Sequence, residues 1–178
     1  LGWQKEEFDT AGVSFENRAE IFWETLDICK LLWEDSPVSF HGKNFNFDDI
    51  WCHPQPAQGK DLPLLFGLKM TSENASRIAK VGHGWIPIKT SRDFILAGKD
   101  ILSDAFNKEG RQDQPRIRGQ LPTCVDDDGV PNIDLTLKEL EKSMAAGLNE
   151  IEFFPINFVR APDDIYKVLK LISEVKKS

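Results

Sequence analysis

Little in this sequence points to cross-links, metals or a membrane. Its three cysteines, Cys29, Cys52 and Cys124, lie far apart and form neither a CxxC pair nor a zinc-type Cys/His spacing, so no disulfide or metal framework is expected. The three histidines, His41, His53 and His83, share no metal spacing and no obvious Asp or Ser partner. No apolar run approaches the roughly 18 to 20 residues that span a bilayer, and no basic stretch followed by an apolar one opens the chain. Positive charge is outnumbered, 22 Lys and Arg against 29 Asp and Glu, for a net charge of -7. That balance argues against a nucleic-acid partner, because such surfaces cluster cations that release counterions. The expectation is a cytoplasmic protein without membrane or nucleic-acid partners. The first residue is Leu1 rather than Met, so upstream sequence is expected to precede it.

What is present is a patterned chain of 178 residues, 40% hydrophobic, enough for one domain with a real core over residues 1–178. After Ser14, a candidate N-cap, Phe15, Ala19, Phe22, Leu26, Cys29 and Trp33 fall on one helical stripe that Ser36-Pro37 ends. Val38, Phe40, Phe45 and Phe47 alternate around His41-Gly42-Lys43-Asn44, the pattern of a short hairpin insertion. Pro54, Pro56 and Gly59 mark a connecting loop.

Beyond that loop the pattern alternates between strand and helix. Leu62 to Gly67 predicts a strand buried on both faces, and Thr71 or Ser72 caps a helix carrying Ala75, Ile78 and Ala79. Gly84 to Ile88 is the next strand, with Ser91 capping a helix through Phe94, Ile95, Ile101, Leu102 and Phe106. Arg116 to Val125 is a third strand, leaving through Asp126-Asp127-Asp128-Gly129, which misses the DxDxDG calcium register and reads as an acidic turn. A helix with Leu135, Leu137, Leu140, Met144 and Ala145 stops at Gly147. Ile151 to Pro155 is a fourth strand, and Pro162, Asp163 and Asp164 open a last helix with Ile165, Val168, Leu169, Ile172 and Val175 inward.

Such alternation means parallel pairing with right-handed crossovers, an α/β class. A complete (β/α)8 barrel takes about 250 residues, and about four parallel strands fit here, so the choice is a small open sheet or half a barrel.

Three stretches decide it: Pro63 to Gly67; Thr71, Ser72, Asn74, Ala75, Arg77, Ile78 and Ala79; and Gly82 to Ile88. Together they resemble the signature region of luciferase-like monooxygenases, most closely the subgroup described as coenzyme F420-dependent oxidoreductases. Gly2-Trp3 with Glu6, Glu7, Phe8, Phe15 and Arg18, then Leu32-Trp33 and Val38 to Gly42, also look like that subgroup, as does Leu135 to Phe154. The resemblance implies the carboxy-terminal half of a TIM barrel, its fifth to eighth strands, with the first four upstream. One position departs from the family, which usually carries Asp where this chain has His83.

The resemblance implies an oxidoreductase or monooxygenase, a flavoprotein or its deazaflavin counterpart, using coenzyme F420 or FMN on a small organic substrate. A homo-oligomer, a dimer, is expected. Cofactor-binding candidates are Gly67, Lys69, Thr71, Ser72, Gly84 and Trp85. Thr71 and Ser72 stand where a strand gives way to a helix N-terminus able to hold a phosphate, and Gly67 would let the backbone approach it. Thr71 equally reads as a plain N-cap, Gly67 as a turn glycine, and Gly84 and Trp85 as packing residues. Lys69 and Lys89 supply charge to an acidic tail or are simply solvated. His83, next to this region, is a general acid or base or a structural imidazole.

No catalytic residue is singled out, because much of the pocket would come from the absent strands. Trp3, Phe8 and Trp51 fall in segments read as irregular, near the pocket mouth or the missing half. The alternative function is a truncated or non-catalytic binding protein. As half a barrel it would leave an apolar inner surface uncovered and so dimerise, bind a partner half or aggregate.

Overall fold

A computed structural model describes residues 1–89 and 91–174; Val175, read above as part of an inward stripe, lies outside them. The chain divides into two units, Leu1–Pro63 and Leu64–Ser178.

In the first unit a short helix α1, Lys5–Ala11, contains Phe8, which corrects the irregular reading of that segment. Seven residues are too few to show an apolar period. Polar contacts hold the helix instead: Lys5 pairs with Asp9 one turn on at 2.7 Å, and Gly12, at a φ of +68°, closes its end. Helix α2 is Arg18–Glu34 and begins after Phe15. The Ser14 hydroxyl accepts the Asn17 N–H at 3.2 Å, so it caps the turn before this helix rather than the helix itself. Strands β1, Val38–His41, and β2, Asn46–Ile50, form the expected antiparallel hairpin, with Phe40 opposite Phe47.

In the second unit four strands lie parallel in sequence order: β3 Leu65–Phe66, β4 Gly84–Trp85, β5 Arg116–Gln120 and β6 Glu150–Glu152. Between and after them come α3 Ser72–Val81, α4 Arg92–Lys108, α5 Ile133–Ala145 and α6 Asp164–Glu174. The strands are shorter than their apolar runs. Pro63, Pro87, Pro122 and Pro155 flank them, and a proline has no N–H to give a ladder. Among the described residues no helix is long and apolar enough to cross a membrane.

Register sorts the strand residues into two faces, because successive side chains alternate. Phe66, Trp85 and Ile117 stand side by side on one face, followed by the rung Gly119 and Ile151. This face receives the helices: Trp85 is fully buried, its ring 5.7 Å from Phe94, and a side chain on Gly98 of α4 would overlap it. A Cβ on Gly119 would likewise meet Leu148 at 2.6 Å. Burying roughly 150–250 Å² of an indole contributes up to about 4–6 kcal/mol, the largest single packing gain available to this layer.

The other face carries Leu65, Gly84, Arg116, Arg118, Gln120, Glu150 and Glu152. It would line the inside of a closed barrel. The apolar inner surface expected above is therefore corrected: over β5 and β6 that surface is charged, since the apolar residues Ile117 and Ile151 occupy the alternate positions under the helices.

The lower, amino-terminal ends of the strands are stapled by side chains. His83 gives its N–H to the Leu64 carbonyl at 2.7 Å, and its Nδ1 accepts the Leu64 N–H at 3.1 Å. Asn149 does the same for β5, with Oδ1 accepting the Ile117 N–H at 2.7 Å and Nδ2 donating to the Pro115 carbonyl at 3.1 Å. Arg111 latches the approach to β5 onto the Gly82 and Ala79 carbonyls at 2.6 and 3.0 Å. In α6, Ile165, Val168 and Ile172 form the inward stripe. Leu169 is 49% exposed, because it follows Val168 by 100° around the helix and so leaves that stripe.

Replacing Gly98 by Ala gains up to about 1 kcal/mol of helix propensity but forces a methyl into the Trp85 ring, an overpacking cost of about 1–3 kcal/mol. Urea denaturation should therefore show Gly98→Ala destabilising the chain. The same change made in a Trp85→Phe background, where the overlapping ring atoms are gone, should be neutral or stabilising. Equal penalties in both backgrounds would refute the close contact.

Candidate functional site

In parallel α/β folds chemistry gathers at the carboxyl ends of the strands, where loops run into helix N-termini. Here that rim is built by four loops, of which the one from β3 to α3 is the most closely specified. Gly67 follows β3 directly and is exposed, with no heavy atom within 4 Å of where a Cβ would stand. The next residue, Leu68, is buried, and its carbonyl accepts the Trp85 indole N–H at 2.8 Å. The Lys69 carbonyl accepts the Asn74 side-chain amide at 2.9 Å, while the Lys69 side chain is exposed. Thr71 caps α3: its hydroxyl accepts the Asn74 N–H at 3.2 Å and its carbonyl accepts the Ala75 N–H at 2.8 Å. Ser72, the first helical residue, is exposed.

The fold thus brings Gly67, Lys69, Thr71 and Ser72 together on one loop. Gly84 and Trp85 are placed differently. Both are buried in β4, where a Cβ on Gly84 would run into the Arg116 carbonyl of the neighbouring strand. Trp85 meets the loop from behind, through its bond to Leu68, and so positions that loop from within the core. Lys89, exposed after β4, has its ammonium 5.7 Å from the centre of the Phe94 ring.

Of the two readings of His83 the structure supports the structural imidazole: it precedes β4 and staples its lower end, so it lies at the opposite end of the strand from the rim. His41 does have an acidic partner: Asp48 lies 3.1 Å from its Nε2, because hairpin pairing of His41 with Asn46 brings the residue two further along within diagonal reach. Elsewhere on the rim the Asp126 carboxylate accepts the N–H groups of Asp128 at 3.1 Å and Val130 at 2.9 Å, the acidic turn expected. The loops after β5 and β6 are tied by the Asn157 amide donating to the Thr123 hydroxyl at 2.8 Å, and Phe153 stacks on Phe158 at 5.5 Å.

The charged inner face was not singled out from sequence. Glu150 sits between two guanidiniums, paired with Arg116 and with Arg118 at 2.8 Å. The Arg116 hydrogen bond first, and then that from Arg118, hold its carboxyl below the usual carboxylate range. A period-two signal for this was present in Arg116-Ile117-Arg118-Gly119-Gln120 and Glu150-Ile151-Glu152, which alternate polar with apolar or glycine. Strands buried on both faces do not normally show it.

Comparison with known proteins supplies a wider frame. The model of a family described as luciferase-like monooxygenase matches residues 1–130, which takes in all of the first unit and much of the second. No curated protein matches the chain. Among solved structures, the monooxygenase RslO1 from Streptomyces bottropensis is 19% identical with a TM-score of 0.62, over 96% of this chain and 55% of that one. An F420-dependent secondary alcohol dehydrogenase, in complex with an F420–acetone adduct, is 16% identical with a TM-score of 0.64, over 79% and 57%. The coenzyme F420-dependent tetrahydromethanopterin reductase from Methanopyrus kandleri is 15% identical with a TM-score of 0.67, over 97% and 70%. At these identities the likeness establishes fold alone, that of part of a (β/α)8 barrel. The chain spans just over half the length of the first two.

The Glu150 cluster carries a pH signature. Its folded-state carboxyl titrates below its unfolded value of about 4.3, so its stabilisation is complete above that pH and is lost as pH falls through the lower folded value. Replacing Glu150 by Gln should therefore lower the urea midpoint more at pH 7 than at pH 3. A penalty independent of pH would show that the carboxylate charge contributes nothing.

Proposed function

Since this chain belongs to the luciferase-like monooxygenase family, we propose that the complete protein is an oxidoreductase that uses coenzyme F420 or FMN on a small organic substrate. The loop from β3 to α3 holds the cofactor's phosphate end. The observation that carries this reading is the open space at Gly67. Its φ is not in the left-handed region and no protein atom crowds its Cβ position, so neither local conformation nor packing within this chain requires a glycine there. A ligand lying against the backbone does.

The neighbouring groups suit an anion. First-turn N–H groups of a helix have no intrahelical partner; Thr71 satisfies that of Asn74, which leaves those of Ser72 and Glu73 to meet phosphate oxygens. The Glu73 carboxylate would oppose an anion, but Arg77 pairs with it at 2.9 Å and offsets its charge. Lys69 adds an exposed cation and Ser72 an exposed hydroxyl on the same loop. Trp85 keeps that loop at a fixed height through Leu68, and Gly84 permits the close strand pairing beneath it.

A bound deazaflavin or flavin supplies the hydride, or in the FMN case activates oxygen, while the protein binds, orients and shields it. Among the described residues β3 and β6 are the outer strands of the sheet, and the remaining strands of a complete barrel would pair with them. The assembled enzyme is a homodimer in the cytoplasm, a reducing setting that suits the three free cysteines.

Fluorescence titration of the complete protein with coenzyme F420 and with FMN tests the reading. One of the two should bind, and Gly67→Val should weaken it at least tenfold while leaving the thermal midpoint unchanged, because the new side chain enters space that the protein itself does not use. Failure of both cofactors to bind, or a Gly67→Val protein that binds normally, would refute it.

A further inference from the structure

We infer that Gln120 and Glu152 form a hydroxyl-recognition pair at the mouth of the barrel lumen, so that the substrate is an alcohol or polyol rather than a hydrocarbon; this rests on the oxidoreductase reading above.

Gln120 ends β5 and Glu152 ends β6, and they are register partners. Neighbouring strands lie about 4.8 Å apart, so the two side chains leave the sheet together. They stand on the face that the helices do not cover, because the rung below, Gly119 with Ile151, is the one turned toward Leu148. They are also at the carboxyl ends of their strands, where substrates of parallel barrels bind. Position and direction together point them at a reacting molecule.

Their chemistry is uncommitted, in contrast with the residues beneath. Two positions back along β6, Glu150 is taken by Arg116 and Arg118, and Arg118 spends both its Nε and an Nη on it. The carboxylate of Glu152 has no hydrogen-bond or ion-pair partner among the described residues, and both Glu152 and Gln120 are exposed. An ionised carboxylate only accepts hydrogen bonds, whereas an amide both donates and accepts. Side by side they offer an acceptor for an O–H and a donor for the same oxygen's lone pair, which is the complement of a hydroxyl.

A cationic substrate fits less well. Arg116 and Arg118 with Glu150 leave one net positive charge directly below, which balances Glu152, so this face of β5 and β6 is neutral. The rim above is braced rather than loose, since Asn157 ties to Thr123 across the two loops that follow these strands. A site built this way favours a molecule that can donate over an analogue that cannot, because only the donor gives the Glu152 carboxylate a hydrogen bond.

The test uses the ¹⁵N-labelled protein and two probes, 1,2-propanediol and 1,2-dimethoxypropane, its bis-methyl ether, which accepts hydrogen bonds but cannot donate them. The Gln120 side-chain amide signal is identified by its loss in Gln120→Leu. Titration with the diol should move that signal, the ether should not, and Glu152→Gln should weaken the diol response at least fivefold. Equal shifts with diol and ether, or an unchanged diol titration in Glu152→Gln, would overturn the inference. Cofactor titration of the unaltered protein is a separate readout: a protein that shows the diol response but binds neither cofactor keeps the hydroxyl pair and loses the oxidoreductase reading.

Discussion

Parallel register is the constraint from which the rest of this structure follows. With β3 to β6 running the same way, every loop that leaves a strand appears at one rim and every loop that enters appears at the other. The lower rim is spent on stability: His83 and Asn149 each stand just before a strand and bond back to the backbone of the strand before it. A register slip of one residue would cost those bonds and would also turn Trp85 and Ile117 away from the helices. Specific polar contacts at one end and apolar burial along one face therefore select the same alignment.

That alignment frees the upper rim. The β3–α3 loop has little packing of its own beyond Leu68, yet its height is set, because the Trp85 indole reaches up from the core to the Leu68 carbonyl. Buried N–H groups need partners, and this one finds its partner in a loop instead of in its own strand. The consequence is a partly exposed segment, Gly67 to Thr71, that is anchored near its start by Leu68 and at its end by the Thr71 cap. Rigid support behind an exposed backbone is what a phosphate site requires.

The helices α2 to α6 were legible in the sequence, and so were the faces of α3 and α4; the stripes read for α2 and α5 were not, since Ile28 and Thr136 are the buried residues there and Leu135 and Met144 are exposed. Ala75, Ile78 and Ala79 recur at helical spacing and are buried, and Thr71 caps them as its residue type suggests. Strand lengths were less legible, because apolar runs continue past the ladder wherever a proline or a glycine ends it. The seven-residue helix α1 carries no period, so only its Lys5–Asp9 pair and Gly12 mark it. The roles of Gly84 and Trp85 could not be separated by sequence either. Each residue type is common both at cofactor sites and in cores, and only the contact with Arg116 in one case and Gly98 in the other distinguishes them. His83 left two readings open for a related reason, and the structural imidazole is the one its bonds to Leu64 support: nearness in sequence places a residue at either end of a strand only two residues long.

The charged lumen is the feature that reading for burial would discount, since barrel interiors are usually filled by branched apolar side chains. Removing Arg116, Arg118 and Glu150 from water is costly, and their mutual attraction repays it only when the geometry is good and the remaining donors find partners. Two guanidiniums converging on one carboxylate meet part of that demand within this chain. The rest of that demand falls on water and on whatever polar groups face these residues. Gln120 and Glu152, one rung pair further along the same face, are exposed. The same alternation that buries Ile117 and half-buries Ile151 on the helix side therefore turns the polar residues of β5 and β6 to the opposite face.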